Sequence, residues 1–334
     1  MIEFMKVLIL QGGCNEEHKV SLNTAKQIGK TLKKLKIDFK NFTVNPNTFE
    51  KDILKYSNQY ICFNALHGPF GEDGAIQKIL KKNKFRFTHS NQISSTNCFD
   101  KEKSKKIVNK FRIKTPSFEI VKCKQINFNY LLSIKKKYSK FVLKPVSSGS
   151  SYGLKIIRTK KDLNIFLREL TKYKRKFDLN EKFLIEKFIH GIELTVSVLE
   201  QNSKPKSLAV TEIVSLNSTY DYQAKYTKGF SKHFIPARIS KKNYKKCLSL
   251  AMKIHKIFKC NTLSRIDFIY NKKQNKIYFL EINSQPGMTK LSLLPEQANY
   301  QKIKFESIIK SLINNAKWVI IIIKRKLFLY LNLD

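Results

Sequence analysis

The chain has 334 residues, 42% of them hydrophobic, and a formal net charge of +40. This length suggests two or three domains, and the apolar content excludes a globally disordered chain. Clustered Lys and Arg would favour nucleic acid or an anionic membrane as partner. The lysines are instead scattered among many Asn and Ile residues, which favours a base-composition bias with a general attraction for anionic substrates. We therefore expect no specific nucleic-acid partner.

The cysteines and the amino-terminal segment indicate the compartment. None of the six cysteines forms a CxxC pair, and no His cluster supplies zinc spacing, so they indicate reduced thiols in a cytosolic protein. The apolar run at the start is too short for a signal sequence, and Gly12-Gly13 follows it directly. We predict a cytoplasmic protein that begins with a buried β-strand.

The first hundred residues alternate between strand and helix patterns. The predicted elements are strands at 5–11, 37–44 and 60–66 and a helix at 21–35. Ser21 is the predicted N-cap of that helix. This alternation predicts an open parallel sheet. Ligands bind at the carboxyl ends of such strands, where Glu17 and His67 stand.

From residue 100 onward the elements are more charged and the strands more often adjacent. The predicted helices are 100–111, 161–174 and 241–258, and the predicted strands are 115–121, 141–146, 154–159, 182–189, 193–200, 207–216, 265–270 and 276–283. This order is typical of an α+β arrangement with antiparallel pairs. We predict domains at 1–99, 100–190 and 191–316, followed by a tail at 317–334.

Acidic residues stand inside the apolar strands of the last hairpin. If Asp267 lies opposite Glu281, the period of two places Asn283 on the same face and Arg265 opposite Asn283. Asp, Glu and Asn oxygens suit Mg²⁺ that bridges nucleotide phosphates. The alternative from the residues alone is a salt bridge among Arg265, Asp267 and Glu281.

Lys144 stands inside an apolar strand, directly before the Ser/Gly-rich turn 147–153. A lysine in this place can hold phosphate oxygens while loop N–H groups close over them. The turn is not a Walker loop, because the GxxxxGK[ST] order is missing. The alternative is a solvent-facing lysine beside an ordinary hairpin turn.

Two further segments carry weaker signals. Residues 184–189 could contact a purine, and Glu193 the ribose, although this segment alone is indistinguishable from a core strand. The Tyr-rich run 220–226, which contains Lys225, predicts either an anionic substrate pocket or a surface loop.

The tail combines apolar and basic residues. An apolar run at 318–323 is interrupted by Lys324-Arg325-Lys326 before a second run follows. Neither run reaches the ~20 residues that a membrane span needs. The tail is predicted to cover the surface of the last domain, with a peripheral membrane or partner contact as the alternative.

The order of these segments carries more information than each one alone. The runs GGCNEEHKVSLNTA, HGPFGEDG, DKEKSK, KPVSSGSSYG, LIEKFIHGIE, YDYQAKY, SRIDF and FLEINSQPGMTKLS follow one another along the chain. This series, over about residues 5–315, resembles the D-alanine–D-alanine ligases of the ATP-grasp superfamily. The resemblance implies an α/β fold, α+β in the carboxyl-terminal half, with three domains of which the first is Rossmann-like. It also implies a homodimer.

The resemblance implies which residues bind nucleotide and metal. The residues that match ATP contacts are Lys101, Lys144, Ser151, Glu186, Lys187, Ile189, Glu193 and Lys225. The residues that match the ligands of a pair of Mg²⁺ or Mn²⁺ ions are Asp267, Glu281 and Asn283. In this family the ions and lysines offset charge on the transferred phosphoryl group.

The resemblance also implies which residues bind two D-alanine molecules and act on them. Glu17, with His67 nearby, matches the acid that holds the first ammonium, in a network with Ser150 and Tyr226. Arg265 and the Gly287 N–H match the groups that stabilise the oxyanion. The pocket for the second D-alanine is matched by Lys225, Ser292 and Leu293.

The specificity and the departures from the family pattern follow from the same resemblance. A Tyr at position 226 goes with dipeptide formation, so D-alanyl-D-alanine is the predicted product, with another D-amino acid or D-hydroxy acid pair as the alternative. Gln223 stands where the family usually has Glu, and Ser284-Gln285 replaces a Thr-containing pair. Asn15 replaces a small hydroxyl residue, and residues 146–148 replace a more charged stretch. None of these changes removes a metal ligand or a phosphate lysine.

Overall fold

The computed structural model describes residues 6–201, 204–215, 230–289 and 291–316. The predictions for the run 220–226 and for the tail 317–334 lie outside these residues.

The first sheet is parallel, as predicted. Its strands are β1 (Lys6–Gly12), β2 (Asp38–Val44), β3 (Ile61–Asn64) and β4 (Arg86–Phe87), in the order β2-β1-β3-β4. Its helices are α1 (His18–Lys34), α2 (Phe49–Asp52), α3 (Ala75–Lys82) and α4 (Gln92–Phe99). Four successive apolar residues of β1 are fully buried, which is expected for a parallel strand covered on both faces.

Helix α1 begins one turn earlier than predicted, at His18, so Ser21 is not its N-cap. Glu17 occupies the cap position, and Ser21 lies inside the helix. The Ser21 hydroxyl accepts a hydrogen bond from the Gly12 N–H at 2.8 Å and donates one to the Ala65 carbonyl at 2.8 Å. The prediction was wrong because this hydroxyl joins the ends of β1 and β3 instead of satisfying a helix N–H.

The second sheet is antiparallel. Its strands are β5 (Phe118–Lys122), β6 (Phe141–Pro145), β7 (Lys155–Ile157) and β8 (Lys182–Lys187), in the order β5-β8-β6-β7. Helix α5 (Lys101–Lys110) precedes it, and α6 (Phe128–Tyr138) and α7 (Lys160–Lys174) pack on it. The side chains of Phe141 and Phe183 are fully buried in its core.

The third sheet is also antiparallel. Its strands are β9 (Ile192–Gln201), β10 (Lys204–Ser215), β11 (Ser231–Phe234), β12 (Leu263–Asn271) and β13 (Lys276–Asn283), in the order β11-β10-β9-β12-β13. Helix α8 (Lys241–Ile257) packs on it, and α9 (Leu293–Tyr300) and α10 (Phe305–Ala316) follow. The predicted β9–β10 pair and the β12–β13 hairpin are both present.

Two apolar clusters connect the third sheet to the first sheet and to helix α5. One cluster joins Val7 and Ile28 of the first sheet and its helix to Leu263, Leu294 and Ile308 near the third sheet. Another places Val108 of α5 against the core of the third sheet. The carboxyl end of β3 lies beside that of β13, because Gln285 hydrogen-bonds to Asn64 and to the Leu66 carbonyl. The candidate site is found at this place. Within the described part of the chain, no helix is long and apolar enough to cross a membrane.

Candidate active site

The β12–β13 hairpin places four polar side chains on one face. Asp267 lies opposite Glu281, and Arg265 lies opposite Asn283. The intervening Ile266 and its partner Ile282 are buried on the other face, which is the expected alternation of a strand pair. The predicted register is confirmed, and the three proposed metal ligands share a surface.

Asp267 is held by two neighbours. Arg265 donates to it through both Nε and Nη2, at 3.0 and 2.7 Å, and the Thr195 hydroxyl donates to Oδ1 at 2.6 Å. The ion-pair alternative is thus realised for Arg265 and Asp267. This bidentate pair also fixes the direction of the guanidinium group.

The donor set at the hairpin fits a hard divalent cation. Two carboxylates and an amide offer only oxygen ligands, the type that Mg²⁺ and Mn²⁺ prefer. The Asn283 Oδ1 atom accepts the Gln285 N–H at 2.6 Å, which fixes the amide and leaves Oδ1 a second lone pair. Among the described residues, no three His, Cys, Asp or Glu side chains are grouped for a metal. An ion here would therefore need further oxygens, such as those of phosphates.

A cavity of about 750 Å³ lies between the second and third sheets. This volume is in the range of small-molecule binding sites. The predicted nucleotide residues that line it are Lys101, Lys144, Ser151, Glu186, Lys187, Ile189 and Glu193. Its apolar walls include Val142, Ile156, Ile269 and Leu280, which could receive a flat heterocycle. Lys225, the eighth predicted nucleotide residue, lies outside the described residues.

Lys144 is buried in this cavity wall and forms an ion pair with Glu186, at 2.7 Å. The alternative of a solvent-facing Lys144 is therefore wrong. Glu186 forms a second ion pair with Lys105, also at 2.7 Å. Burial disfavours the charged form of Glu186, but the two ammonium groups outweigh burial and lower the pKa of Glu186 to about 2.

The amino terminus of α5 holds the turn 147–153. The Lys101 ammonium donates to the Ser148 carbonyl at 2.6 Å, and the Lys101 N–H donates to the Val146 carbonyl at 3.1 Å. The turn passes through the left-handed region at Ser150 and Ser151, with φ of +46° and +60°. Lys101 and the turn thus form one wall at the amino-terminal end of a helix.

Glu17 lies against Gly68 and Gly149, two positions where only glycine fits beside its carboxylate. A Cβ atom at Gly68 would lie 2.6 Å from the Glu17 Oε2 atom, and one at Gly149 would lie 2.4 Å from it. Both distances are shorter than real Cβ contacts, so a larger residue would displace the carboxylate. The Ser150 hydroxyl donates to the Glu17 Oε1 atom.

A second cavity, of about 90 Å³, lies next to Glu17. The predicted substrate residues that line it are Glu17, His67, Ser150, Arg265, Gly287, Ser292 and Leu293. The His67 ring contacts Glu72 through Nδ1 at 3.2 Å and Thr24 through Nε2 at 3.0 Å, so both ring nitrogens are fixed. Tyr226, predicted in this network, lies outside the described residues.

The two cavities share a wall. Lys101, Ser148, Gly149, Ser150 and Glu281 line both of them. Asp267 faces only the larger cavity and Asn283 only the smaller one, so the proposed metal ligands stand at the junction. A small acid in one cavity would meet a phosphate chain in the other. This fold and site define an ATP-dependent ligase of the ATP-grasp class.

Comparisons with known proteins identify the family within this class. A sequence model described as "D-ala D-ala ligase C-terminus" matches residues 107–314. D-alanine–D-alanine ligases of Pelagibacter ubique and of the Wolbachia of Drosophila simulans are 40% and 38% identical to the chain. The alignments cover 93% and 95% of this chain and 98% and 95% of the relatives. The chain belongs to the D-alanine–D-alanine ligase family.

A solved structure supports the same assignment. The D-alanine–D-alanine ligase of Bacillus anthracis complexed with ATP superposes with a TM-score of 0.76 at 27% identity. The match covers 94% of this chain and 97% of that protein. The predicted fold class and the predicted family are confirmed.

Three residues of the site were not predicted from the sequence. Lys105 pairs with Glu186, Glu72 contacts His67, and Gln285 crosses from the β13 end to β3. The sequence contains a signal for Lys105. Lys105 stands four residues after Lys101 and one after Ser104, on the helix face that also carries Val108. All four of these residues are buried.

Proposed function

We propose that this protein joins two D-alanine molecules into D-alanyl-D-alanine, with conversion of ATP to ADP and phosphate, for cell-wall precursor synthesis. The observation that carries the proposal is the wall shared by the two cavities, with Glu281 at their junction. A substrate carboxylate in the smaller cavity can reach the γ-phosphate of a nucleotide in the larger one. Reacting groups held at such a contact gain a large advantage in effective concentration.

The first D-alanine is proposed to bind with its ammonium at Glu17. The Ser150 hydroxyl orients this carboxylate, and Gly68 and Gly149 keep the space around it open. His67 lies in the same cavity, oriented by Glu72. The substrate carboxylate then points to the shared wall and attacks the γ-phosphorus, which gives D-alanyl phosphate and ADP.

Lys101, Lys144 and Ser151 are proposed to hold the phosphates, and Glu186, Lys187, Ile189 and Glu193 to hold the adenine and ribose. Asp267, Glu281 and Asn283 would hold a pair of Mg²⁺ or Mn²⁺ ions. When bound, the ions supply neutralisation of charge on the phosphates. Lys225 is proposed to act on both the nucleotide and the second substrate.

The second step is attack of the second amine on the acyl phosphate carbonyl, with loss of phosphate. Arg265 and the Gly287 N–H are proposed to stabilise the oxyanion, a role worth roughly 3–4 kcal/mol for each preorganised donor. The bidentate contact of Arg265 with Asp267 provides that preorganisation. Ser292 and Leu293, with Lys225, form the proposed pocket for the second D-alanine.

The decisive experiment measures phosphate release from ATP and identifies the product by mass spectrometry. D-Alanine should support Mg²⁺-dependent release and yield the dipeptide, whereas L-alanine should not. Release should be lost in Glu281→Ala. Phosphate release that is independent of D-alanine, or a different product, would contradict the proposal.

The second-substrate preference is proposed to depend on Tyr226. In a mixture of D-alanine and D-lactate at low pH, Tyr226→Phe should shift the product toward the ester. An unchanged ratio of dipeptide to ester would mean that Tyr226 does not set the specificity. It would favour another D-amino acid or D-hydroxy acid pair as the substrates.

The assembly and compartment are also proposals. We propose a homodimer, as in the family, which sedimentation equilibrium of the full chain would test against a monomer. We propose the cytoplasm because the six cysteines are free and ATP is a substrate. Cell fractionation would test this location.

A further inference from the structure

Three buried charged groups form a triad in the wall of the larger cavity. Glu186 lies between Lys105, 2.7 Å from its Oε2 atom, and Lys144, 2.7 Å from its Oε1 atom. All three side chains are buried, and that of Lys105 has no exposed area. Two ammonium groups share one carboxylate, so the triad carries one surplus positive charge toward an anionic ligand.

The two lysines of the triad differ in their other contacts. The Lys105 ammonium donates to the Thr115 hydroxyl at 2.8 Å, and that hydroxyl donates to the Phe279 carbonyl at 2.9 Å. The Phe118 ring lies 5.9 Å from the same ammonium. Lys144 is one of the described residues that line the larger cavity, whereas Lys105 does not line it. Lys105 is therefore fixed behind the wall, whereas Lys144 faces the ligand space.

A phosphate group in the cavity would attract Lys144 away from Glu186. A buried carboxylate that loses its only cation is strongly destabilised, so this exchange is unfavourable unless another cation stays in place. Lys105 meets that condition, because its second anchor at Thr115 keeps it beside Glu186 when Lys144 turns.

We propose that Lys105 is a positioning residue, the fixed counterion of Glu186 that lets Lys144 leave this carboxylate and bind a nucleotide phosphate. The inference rests on the proposed role of Lys144 in ATP binding and adds a residue that acts without touching ATP. In the absence of Lys105, Lys144 is the sole counterion of Glu186 and is held at this carboxylate. ATP must then compete with Glu186 for the Lys144 ammonium.

The first test is ATP binding by calorimetry, with the full chain and Mg²⁺ and without D-alanine. Lys105→Met is expected to raise the Kd for ATP at least about tenfold, the effect of losing one charge partner. Lys103→Met is the matched control, since Lys103 is an exposed lysine of the same helix, and it should bind ATP like the wild type. An unchanged Kd in Lys105→Met would overturn the proposal.

The second test removes the carboxylate that holds Lys144. In the Glu186→Gln background, Lys105 has no anion to compensate, so adding Lys105→Met should change the Kd by less than about threefold. The double variant contains no unpaired buried anion, and this comparison remains informative if the Lys105→Met single variant fails to fold. Equal losses in both backgrounds would overturn the proposal and leave Lys105 with a purely structural role.

Steady-state kinetics separates this inference from the proposed function. Lys105→Met should raise the KM for ATP and leave the KM for D-alanine unchanged, whereas a general defect would raise both and overturn the inference. If the wild type binds ATP but releases no phosphate with D-alanine, the proposed function fails and the binding tests still decide the role of Lys105. If the wild type does not bind ATP, both fail.

Discussion

Gln285 donates a hydrogen bond from its Nε2 atom to the Leu66 carbonyl at 2.6 Å, across 219 positions of the chain. Its Oε1 atom accepts a hydrogen bond from Asn64 at 2.8 Å. Gln285 thus connects the end of β13, which carries Asn283, to the end of β3, which leads to His67. One glutamine thus connects the third sheet, which carries the proposed metal ligand Asn283, with the segment of the first sheet that carries the proposed substrate residue His67.

The replacement Gln285→Leu should weaken this connection. It removes one of the two partners of the Asn64 amide, which also donates to the Gly71 carbonyl at 2.9 Å, and it removes the Gln285 donor of the Leu66 carbonyl. A buried polar group left unsatisfied costs about 1–3 kcal/mol. We expect a lower midpoint in urea unfolding and a higher KM for D-alanine. Gln59→Leu, on an exposed turn, is the control and should unfold like the wild type. Equal midpoints for both variants would mean that the contact contributes nothing.

The sequence was most informative where a period of two applies. Alternation in β12 and β13 fixes which residues share a face, so the pairing of Asp267 with Glu281 could be predicted and was confirmed. Ser21 was misplaced, because its hydroxyl has partners in β1 and β3 that are remote in the chain. Lys105 was missed for a related reason. In a basic helix a lysine is normally exposed, and the helix face that Lys105 shares with Val108 does not indicate that its partner is Glu186 of β8.

The charge of Glu281 should matter more than its shape. Glu281→Gln keeps the size of the side chain and removes the negative charge at the junction of the two cavities. We expect the Mg²⁺ concentration for half-maximal phosphate release to rise at least about tenfold, because the charge of the ligating carboxylates sets the affinity for hard cations. A titration of Mg²⁺ at saturating ATP measures this shift. Glu296→Gln, which removes a carboxylate that contacts His233, is the charge-matched control and should not move the Mg²⁺ curve.

Gly149→Ala should disturb the Glu17 carboxylate directly. The added Cβ would lie 2.4 Å from Glu17 Oε2, so the carboxylate or the turn must move. We expect kcat/KM for D-alanine to fall at least about tenfold, because a displacement of about 1 Å at a binding group has large kinetic effects. Ser147→Ala changes an exposed neighbour in the same turn and should leave kcat/KM unchanged. Equal kinetics in the two variants would remove Glu17 from the D-alanine site.

Core packing of the second sheet can be tested with a matched pair of phenylalanines. Phe183 of β8 is fully buried in the core of the second sheet, and Phe128 is 55% exposed at the start of α6. Phe183→Ala should lower the free energy of unfolding by about 3–5 kcal/mol, through lost burial and the cavity that remains. Phe128→Ala should lower it by less than about 1 kcal/mol. Similar losses in urea unfolding would contradict the packing described for this sheet.

The low pKa of Glu186 makes a prediction about stability in acid. Burial disfavours the carboxylate, but Lys105 and Lys144 overcome this and lower its pKa to about 2 in the folded protein, from 4.5. Because the folded pKa is the lower one, the unfolded state takes up the proton first as the pH falls. The stabilisation from Glu186 is present above pH 4.5 and is lost progressively toward pH 2.

The glutamine in Glu186→Gln does not titrate, so the drop in Tm between pH 5 and pH 3 should be smaller in this variant than in the wild type. Glu50→Gln, at an exposed salt bridge with Lys82, is the control and should keep the wild-type drop. If Glu186→Gln and the wild type lose the same Tm over this interval, the carboxylate is not held in its charged form by the two lysines.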